Sequence, residues 1–271
     1  MSARPRHSTT DDFPWWLVAL VIIGLVLAVV IAVNDIYAQV FNIVIKGIGM
    51  TVFVTLVAFV LASLWGLAIA VLGMADNIML RQGARFYIET VRGIPILVVL
   101  FYIAFVGAPV IVSLFNWMIT PLVQAGWVDA MQVRDFSLTW RAILALTICY
   151  AAFIAEIFRA GIEAVDQGQV EAAKALGLNR VQRFRLVVFP QAIRTIFPPL
   201  SNDFVSMVKD SSLVSVLGVM DITQLGKVYA AGSFRFFETY SIVAYIYLIL
   251  TLGLSLVLRR VEKSLRRSPR G

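Results

Sequence analysis

Long apolar stretches alternate with short, arginine-rich polar segments along most of this chain. A bilayer core about 30 Å thick requires about 20 apolar helical residues to cross it. The pattern predicts six spans, near residues 15–33, 48–73, 86–106, 138–159, 191–208 and 239–258. The first, WWLVALVIIGLVLAVVIAV, carries no charge and opens on a tryptophan pair suited to a membrane interface. We interpret it as a retained span, because no small-residue cleavage site follows it.

The connecting segments are less regular. Residues 107–136 contain several glycines and prolines, and we predict an outside loop with a partly buried or interfacial helix. Residues 210–232 are apolar but punctuated by serine and glycine, which predicts short re-entrant helices before the last span.

The distribution of basic side chains predicts the orientation. If the N-terminus is cytoplasmic, sixteen Lys and Arg residues fall in inside segments and six in outside segments. Cytoplasmic segments carry an excess of Lys and Arg, so both termini are expected to be cytoplasmic. The inside group is Arg4, Arg6, Arg81, Arg85, Arg159, Lys174, Arg180, Arg183, Arg185, Arg194, Arg259, Arg260, Lys263, Arg266, Arg267 and Arg270; the outside group is Lys46, Arg134, Arg141, Lys209, Lys227 and Arg235.

Composition narrows the chemistry. The chain is 60% hydrophobic and 14% charged, which is not typical of a soluble domain. One cysteine, Cys149, and one histidine, His7, leave no basis for a thiolate or imidazole metal cluster or for a Ser-His-Asp triad. We therefore expect no catalytic residues and no metal. The net charge of +7 does not indicate nucleic-acid binding, because the basic residues flank the apolar spans.

The fifth span, FPQAIRTIFPPLSNDFVSMVKD, is unusually polar. A charge at the bilayer centre costs about 3 kcal/mol or more, so this helix, which we expect to be broken at Pro198-Pro199, should be enclosed by protein or line a path. A buried structural kink is the alternative. The candidate path residues are Thr51, Thr55, Asn202, Asp203, Ser206 and Lys209. Lys209 and Arg141 are candidates to receive a carboxylate, and Asp203 an amino group.

Two pairs of opposite charges lie three residues apart at the expected cytoplasmic ends of spans three and four. These are Glu89 with Arg92, and Glu156 with Arg159. Residues at this spacing share a helix face. We interpret them as structural ion pairs that lock the helices, or alternatively as a cytoplasmic gate.

A small-residue basic insert, EAAKALGLNRVQRFRLVVFP, separates spans four and five. Asp166 with Gln169 predicts a helix start, and Gly177 suits a left-handed C-terminal cap. Asn179 should cap a second short helix that ends at Pro190. Alanines 172, 173 and 175 make the first helix thin beside Glu171 and Lys174. Such a helix fits a cleft on a soluble partner, although an ordinary amphipathic surface helix is the alternative.

At these residues the chain resembles the permease subunits of ATP-binding-cassette (ABC) importers for polar amino acids, the histidine and glutamine permease group. Glu171-Ala172-Ala173, then Gly177, then Phe189-Pro190 look like that family's EAA loop. The flanking segments AAFIAEIFRAGI, PQAIRTIFPPLSNDFVSMVKDSSLVSVLGV, GMTVFVTL and YIETVRGIPIL resemble its core helices. The resemblance covers about 210 residues, from Gly47 to the tail.

The resemblance implies an all-α integral membrane protein of the type I importer fold, with five core helices and an added N-terminal helix. It implies one permease domain over 1–271, with an added span and loop (1–46), a core (47–260), a coupling loop (163–190) and a basic tail (261–271). Coupling to the ATPase would fall on Glu171, Ala172, Ala173, Lys174 and Gly177.

The implied partners are two ABC ATPase subunits, a second permease subunit (identical or homologous), a periplasmic or tethered amino-acid-binding protein, and the lipid of a bacterial inner membrane. ATP and Mg would be bound by the ATPase, since this chain has no GxxxxGK[ST] phosphate loop. An ion-coupled secondary transporter or channel is an alternative, but it gives no reason for the thin capped helix. A non-transporting scaffold gives no reason for the polar fifth span, and a permease for an opine, cystine or an ectoine-like solute remains open within the first class.

Overall fold

The computed structural model describes residues 15–267, and every regular element in that range is a helix. Arg4, Arg6, His7 and Arg270 lie outside the described residues. The α-helices are α1 (Trp15–Val33), α2 (Asp35–Val44), α3 (Ile48–Gly73), α4 (Ile78–Gly93), α5 (Ile96–Phe101), α6 (Ala108–Gln124), α7 (Leu138–Glu163), α8 (Gln167–Ala175), α9 (Arg180–Arg183), α10 (Phe189–Asp210), α11 (Ile222–Ser233) and α12 (Phe236–Arg267). Short 3₁₀ turns cover Ile45–Gly47, Val133–Asp135 and Ser211–Leu217, and π turns cover Tyr102–Gly107 and Phe184–Val188.

Four helical stretches of the described chain are long and apolar enough to cross a membrane. They are Asp35–Gly73, Ile96–Gln124, Leu138–Glu163 and Phe236–Leu265, with Leu17–Val33 as a shorter apolar helix. The all-α membrane class is thus confirmed, and α1 and α3 have the bounds expected from the sequence. The polar helix α10 is not among the four, and the number of six crossings stays a prediction.

The third span was predicted wrongly. Residues 86–106 do not form one helix, because α4 ends at Gly93 and Ile94 is extended before Pro95. The residue before a proline avoids the helical region, so a new helix starts beyond it. The apolar stretch then runs through α5, a π turn and α6 to Gln124, which replaces much of the outside loop expected over 107–136.

The N-terminal segment also differs from expectation. A loop was expected up to residue 46, but α2 forms there, capped by the Asn34 side chain, which accepts from the backbone N–H groups of Ile36 and Tyr37. Its buried Val40 and Val44 pack in a cluster with α11 and α12. This segment is therefore a packed helix.

The core is built around a close crossing of α3 and α7. Small residues recur every four positions on the buried face of α3, at Ala58, Ala62, Gly66 and Ala70. A Cβ at Gly66 would lie 2.9 Å from the Ala151 carbonyl oxygen, so no larger residue fits without moving the helices. Small residues allow backbones to approach in a membrane, where packing replaces the hydrophobic effect between helices.

The prolines of α10 do not break it. We predicted that Pro190 would end a helix and that Pro198-Pro199 would break the next. Instead α9, the π turn Phe184–Val188 and α10 follow one another with helical backbone, and Pro198 and Pro199 lie inside α10. A π turn shifts the hydrogen-bond register just before Pro190, where the proline has no N–H to donate.

Candidate functional site

The short helix α8 has the local geometry that its sequence predicts. The Asp166 side chain accepts from the Gln169 backbone N–H at 3.2 Å, and Gly177 is left-handed with φ +77°. Beyond the helix, the N–H of Gly177 bonds to the Lys174 carbonyl at 3.0 Å and the N–H of Leu178 to the Ala173 carbonyl at 3.1 Å. This pair of bonds is a Schellman motif, which fixes the direction in which the chain leaves the helix.

Only part of α8 is available to a partner. Glu171, Ala172 and Lys174 are exposed, but Ala173 is 4% exposed and packs inward. The expectation that all the alanines form one free thin face is therefore wrong for Ala173. The residues expected to couple to an ATPase thus divide into three exposed side chains, one packed alanine and the capping Gly177.

A cluster of apolar side chains fixes α8 to the two neighbouring long helices. Val165 is buried with Ala192 and Ile196 of α10, and Val170 of α8 packs against the same cluster. A side-chain bond adds to this contact, since Gln191 Nε2 donates to Gln169 Oε1 at 2.6 Å and to the Val187 carbonyl at 2.9 Å. α8 is therefore in direct contact with the N-terminal part of α10.

Exposed apolar residues surround α8 on its C-terminal side. Leu176 is 81% exposed, and Val181, Phe184, Leu186 and Phe189 are exposed as well. We call these five residues the apolar rim. Exposed apolar groups of this kind mark a surface that contacts either another protein or the membrane.

The six candidate path residues do not converge on one cavity. Thr51 and Thr55 line a cavity of about 230 Å³ with Phe204 and Val208 of α10. Both hydroxyls already have partners: Thr51 Oγ1 accepts from the Ile222 N–H at 3.3 Å, and Thr55 Oγ1 donates to the Thr51 carbonyl at 2.8 Å.

The polar residues of α10 lie on its other faces. Asn202 lines a separate cavity of about 300 Å³ between α10 and α12, together with Ser201 and Arg259. Ser206 is half-buried and Lys209 is exposed. Asp203 Oδ2 is buried and has no hydrogen-bond partner in the described part of the chain. Because the cavities are separate, the path role of these residues stays a prediction.

Two buried polar residues have structural partners that the sequence did not indicate. Arg141, considered as a carboxylate receptor, donates instead to the carbonyls of Phe136 at 2.7 Å, Ala104 at 2.9 Å and Val133. It fixes the start of α7 to the π turn after α5. Tyr150 of α7 donates to Asp210 Oδ2 at 2.7 Å and so joins α7 to the end of α10.

The predicted charge pairs differ from each other. Arg159 binds Glu156 at 2.7 Å and also Glu163 at 2.8 Å. No ion pair joins Glu89 and Arg92 in residues 15–267; the Arg92 guanidinium lies 5.5 Å from the centre of the Phe153 ring. Glu89 and the three paired residues line one crevice of about 690 Å³ beside the start of α8, which Arg92 does not line. Whether any of them acts as a gate stays a prediction.

These features describe an all-helical protein with several helices suited to a membrane and an exposed short helix packed against its long helices. Residues 62–267 match the family model described as the binding-protein-dependent transport system inner membrane component. The match covers more than half of the chain, which therefore belongs to this family: it is the membrane-spanning permease component of an ABC importer.

Three known proteins illustrate the relationship. The probable amino-acid permease protein YxeN of Bacillus subtilis (strain 168) is 34% identical over 225 residues, which are 83% of this chain and 92% of the relative. The glutamine transport system permease protein GlnP of Escherichia coli (strain K12) is 34% identical over 219 residues, 75% of this chain and 90% of the relative. A crystal structure of an amino acid ABC transporter with histidines aligns with a TM-score of 0.67 at 36% identity, covering 84% of this chain and 95% of the other.

Proposed function

We propose that this permease forms the translocation path for a polar amino acid and is driven through α8 by a separate ATPase chain. The observation that carries the proposal is the construction of α8: exposed Glu171 and Lys174, a fixed exit at Gly177, and a rigid link to α10 through Gln191. A helix built in this way transmits a push from a soluble partner into the membrane part. The apolar rim enlarges the contact available to that partner.

The substrate class is proposed from the relatives. YxeN and GlnP are named for amino-acid and glutamine transport, and at 34% identity they match most of this chain. A related permease from Rhizobium radiobacter, also 34% identical, is named for octopine transport, so an opine is the second candidate. Polar amino acids and opines are both zwitterions, which accords with the mixed polar residues of α10.

The remaining assembly follows from the same proposal. Two permease subunits, identical or homologous, would stand on two ATPases that bind ATP and Mg, and a binding protein outside the membrane would deliver the solute. The chain would lie in a bacterial inner membrane with both termini cytoplasmic, in accord with sixteen basic residues on that side against six on the other. ATP hydrolysis would then occur in the partner chain.

Vanadate-sensitive ATPase activity in proteoliposomes tests the proposal. The permease is reconstituted with its cognate ATPase, candidate binding proteins and a panel of amino acids and opines. We expect one solute class to stimulate hydrolysis, and Glu171→Arg to reduce that stimulation by about tenfold or more, because reversing a charge at an interface centre commonly costs about 2 kcal/mol.

The matched control is Asp76→Arg, the same kind of charge change at an exposed position outside the coupling loop. It should retain the stimulation. Transport that follows an ion gradient without any ATPase, or equal losses in the two variants, would contradict the assignment of α8 as the coupling element.

A further inference from the structure

A groove of about 340 Å³ runs between the first helix, α1, and the last, α12. Its walls are apolar, with Leu20 and Gly24 on α1 opposite Tyr245 and Leu252 on α12. A Cβ at Gly24 would lie 4.0 Å from the Tyr245 ring, so α1 and α12 are within van der Waals reach of each other at this level. Water does not fill an apolar space at membrane depth, because it would lose its hydrogen bonds.

One end of the groove is polar and positively charged. Ser255 and Arg259, one turn apart on α12, line the groove at this end and also line the neighbouring cavity between α10 and α12, together with Glu262. The Ser255 hydroxyl donates to the Thr251 carbonyl at 2.7 Å, and its oxygen remains able to accept. Arg259 makes no hydrogen bond and no ion pair within residues 15–267. Arg260 and Lys263 follow with one acidic residue, Glu262, so this turn is net positive.

The length of the groove matches one leaflet. Tyr245 and Arg259 are fourteen residues apart, which is about 21 Å along a helix at 1.5 Å per residue. Half of a hydrocarbon core of about 30 Å is about 15 Å, so the groove extends from a headgroup level to just beyond the bilayer centre. Its ligand must therefore combine a long apolar chain with an anionic group at one end.

We propose that this groove binds one anionic phospholipid, with an acyl chain between α1 and α12 and the phosphate on Arg259. A guanidinium binds phosphate oxygens through two parallel N–H bonds, which suits Arg better than Lys at this position. The lipid fills the gap beside α1 and connects that helix to the rest of the subunit. Under the orientation proposed above, it comes from the cytoplasmic leaflet, but its binding does not depend on the coupling role of α8.

Native mass spectrometry of the purified, delipidated permease tests the proposal. The protein is titrated with phosphatidylglycerol and, separately, with phosphatidylcholine of the same acyl chains. We expect one phosphatidylglycerol to bind about five- to tenfold more tightly than phosphatidylcholine, the preference that one well-placed arginine supplies. Arg259→Gln should remove this preference, and Arg259→Lys should retain part of it.

Arg260→Gln is the matched control, because it removes the same charge one residue away from a side chain that does not line the groove. It should leave the preference unchanged. Gly24→Leu should fill the groove and reduce binding of both lipids, and Leu20→Phe gives the same test if the first variant does not fold.

Three results would overturn the proposal. Equal retention of the two lipids by the wild type would show that the headgroup is not recognised. Equal losses in Arg259→Gln and Arg260→Gln would indicate general surface electrostatics. A lipid-free dimer that Gly24→Leu dissociates would show that a second copy of the chain occupies the groove.

Discussion

Gly161 of α7 contacts Ile196 of α10, which belongs to the cluster that packs against α8. This contact gives a quantitative prediction. A Cβ at Gly161 would lie 2.2 Å from Ile196 Cγ1 and 3.0 Å from its Cδ1. Carbon atoms pack at about 3.5–4.0 Å, so Gly161→Ala requires a shift of about 1.3–1.8 Å between the two atoms. Ile196 is only 5% exposed and has little space to move.

Overpacking of this kind costs about 1–3 kcal/mol. Each kcal/mol lowers the melting temperature of a chain near this size by about 2–4 °C, so we expect Gly161→Ala to melt about 2–12 °C below the wild type in detergent. Gly253→Ala is the matched control, since it is the same substitution in α12 and its Cβ has no neighbour within 4 Å. That variant should melt at or slightly above the wild-type temperature.

A double-mutant cycle identifies the cause. Ile196→Ala removes both atoms that the new Cβ would meet, at the cost of a cavity. The double variant should then be more stable than the sum of the two single changes predicts, by about 1 kcal/mol or more. Two results would contradict the close approach of α7 and α10 at this point. One is a melting temperature of Gly161→Ala equal to that of the wild type. The other is a stability loss in the double variant equal to the sum of the two single losses.

Three further substitutions test separate contacts. Gln191→Leu removes the bond to Gln169, and we expect ATPase binding to persist in co-purification while solute-stimulated hydrolysis falls; unchanged stimulation would contradict the link from α8 to α10. Arg141→Met leaves three carbonyls without their donor. We expect a destabilisation of about 3 kcal/mol or more, seen as a lower yield of folded protein. A wild-type yield and melting temperature would show that Arg141 does not stabilise the start of α7. Tyr150→Phe removes a neutral donor from Asp210 and should lower stability by about 1–2 kcal/mol in thermal unfolding. The loss should be absent in an Asp210→Ala background, which has no side-chain acceptor for the hydroxyl.

Signals within a few residues of one another were sufficient to predict where α8 begins and ends. Its first and last turns depend on residues within three or four positions, so Asp166 and Gly177 identify its ends directly. The same holds for Asn179, whose side chain forms the predicted cap with the N–H of Gln182. Uninterrupted apolar runs likewise predicted the bounds of α1 and α3.

Contacts between distant segments could not be predicted in this way. Thr51 bonds to the N–H of Ile222, 171 residues away, and no pattern along the chain pairs the two. Gln191 follows a proline at the end of a basic segment, and nothing in that position indicates Gln169 as its partner. The path residues were chosen by polarity on one helix, but the separate faces of α10 place them against different neighbours.

Backbone irregularities account for the other differences. The predicted span 86–106 is apolar on average, but it contains the backbone break at Gly93–Pro95. The apolar helical stretch starts at Ile96, about ten residues further along the chain than predicted. The π turn at Phe184–Val188 lets the backbone remain helical up to Pro190, and such turns have no clear sequence signature. Apolar stretches were therefore easier to predict than the backbone breaks and turns within them.

Cross-linking from α8 tests the central claim most directly. Cys149 is buried, so a single cysteine introduced at exposed Ala172 provides a selective site, with Asp76→Cys as the control outside the loop. We predict that Ala172→Cys cross-links to the cognate ATPase in membranes and that the yield changes between the nucleotide-free and the ATP–vanadate states, while Asp76→Cys gives little product. No cross-link from Ala172→Cys, or equal and nucleotide-independent products from both positions, would contradict the account of α8 as the element through which the ATPase drives this permease.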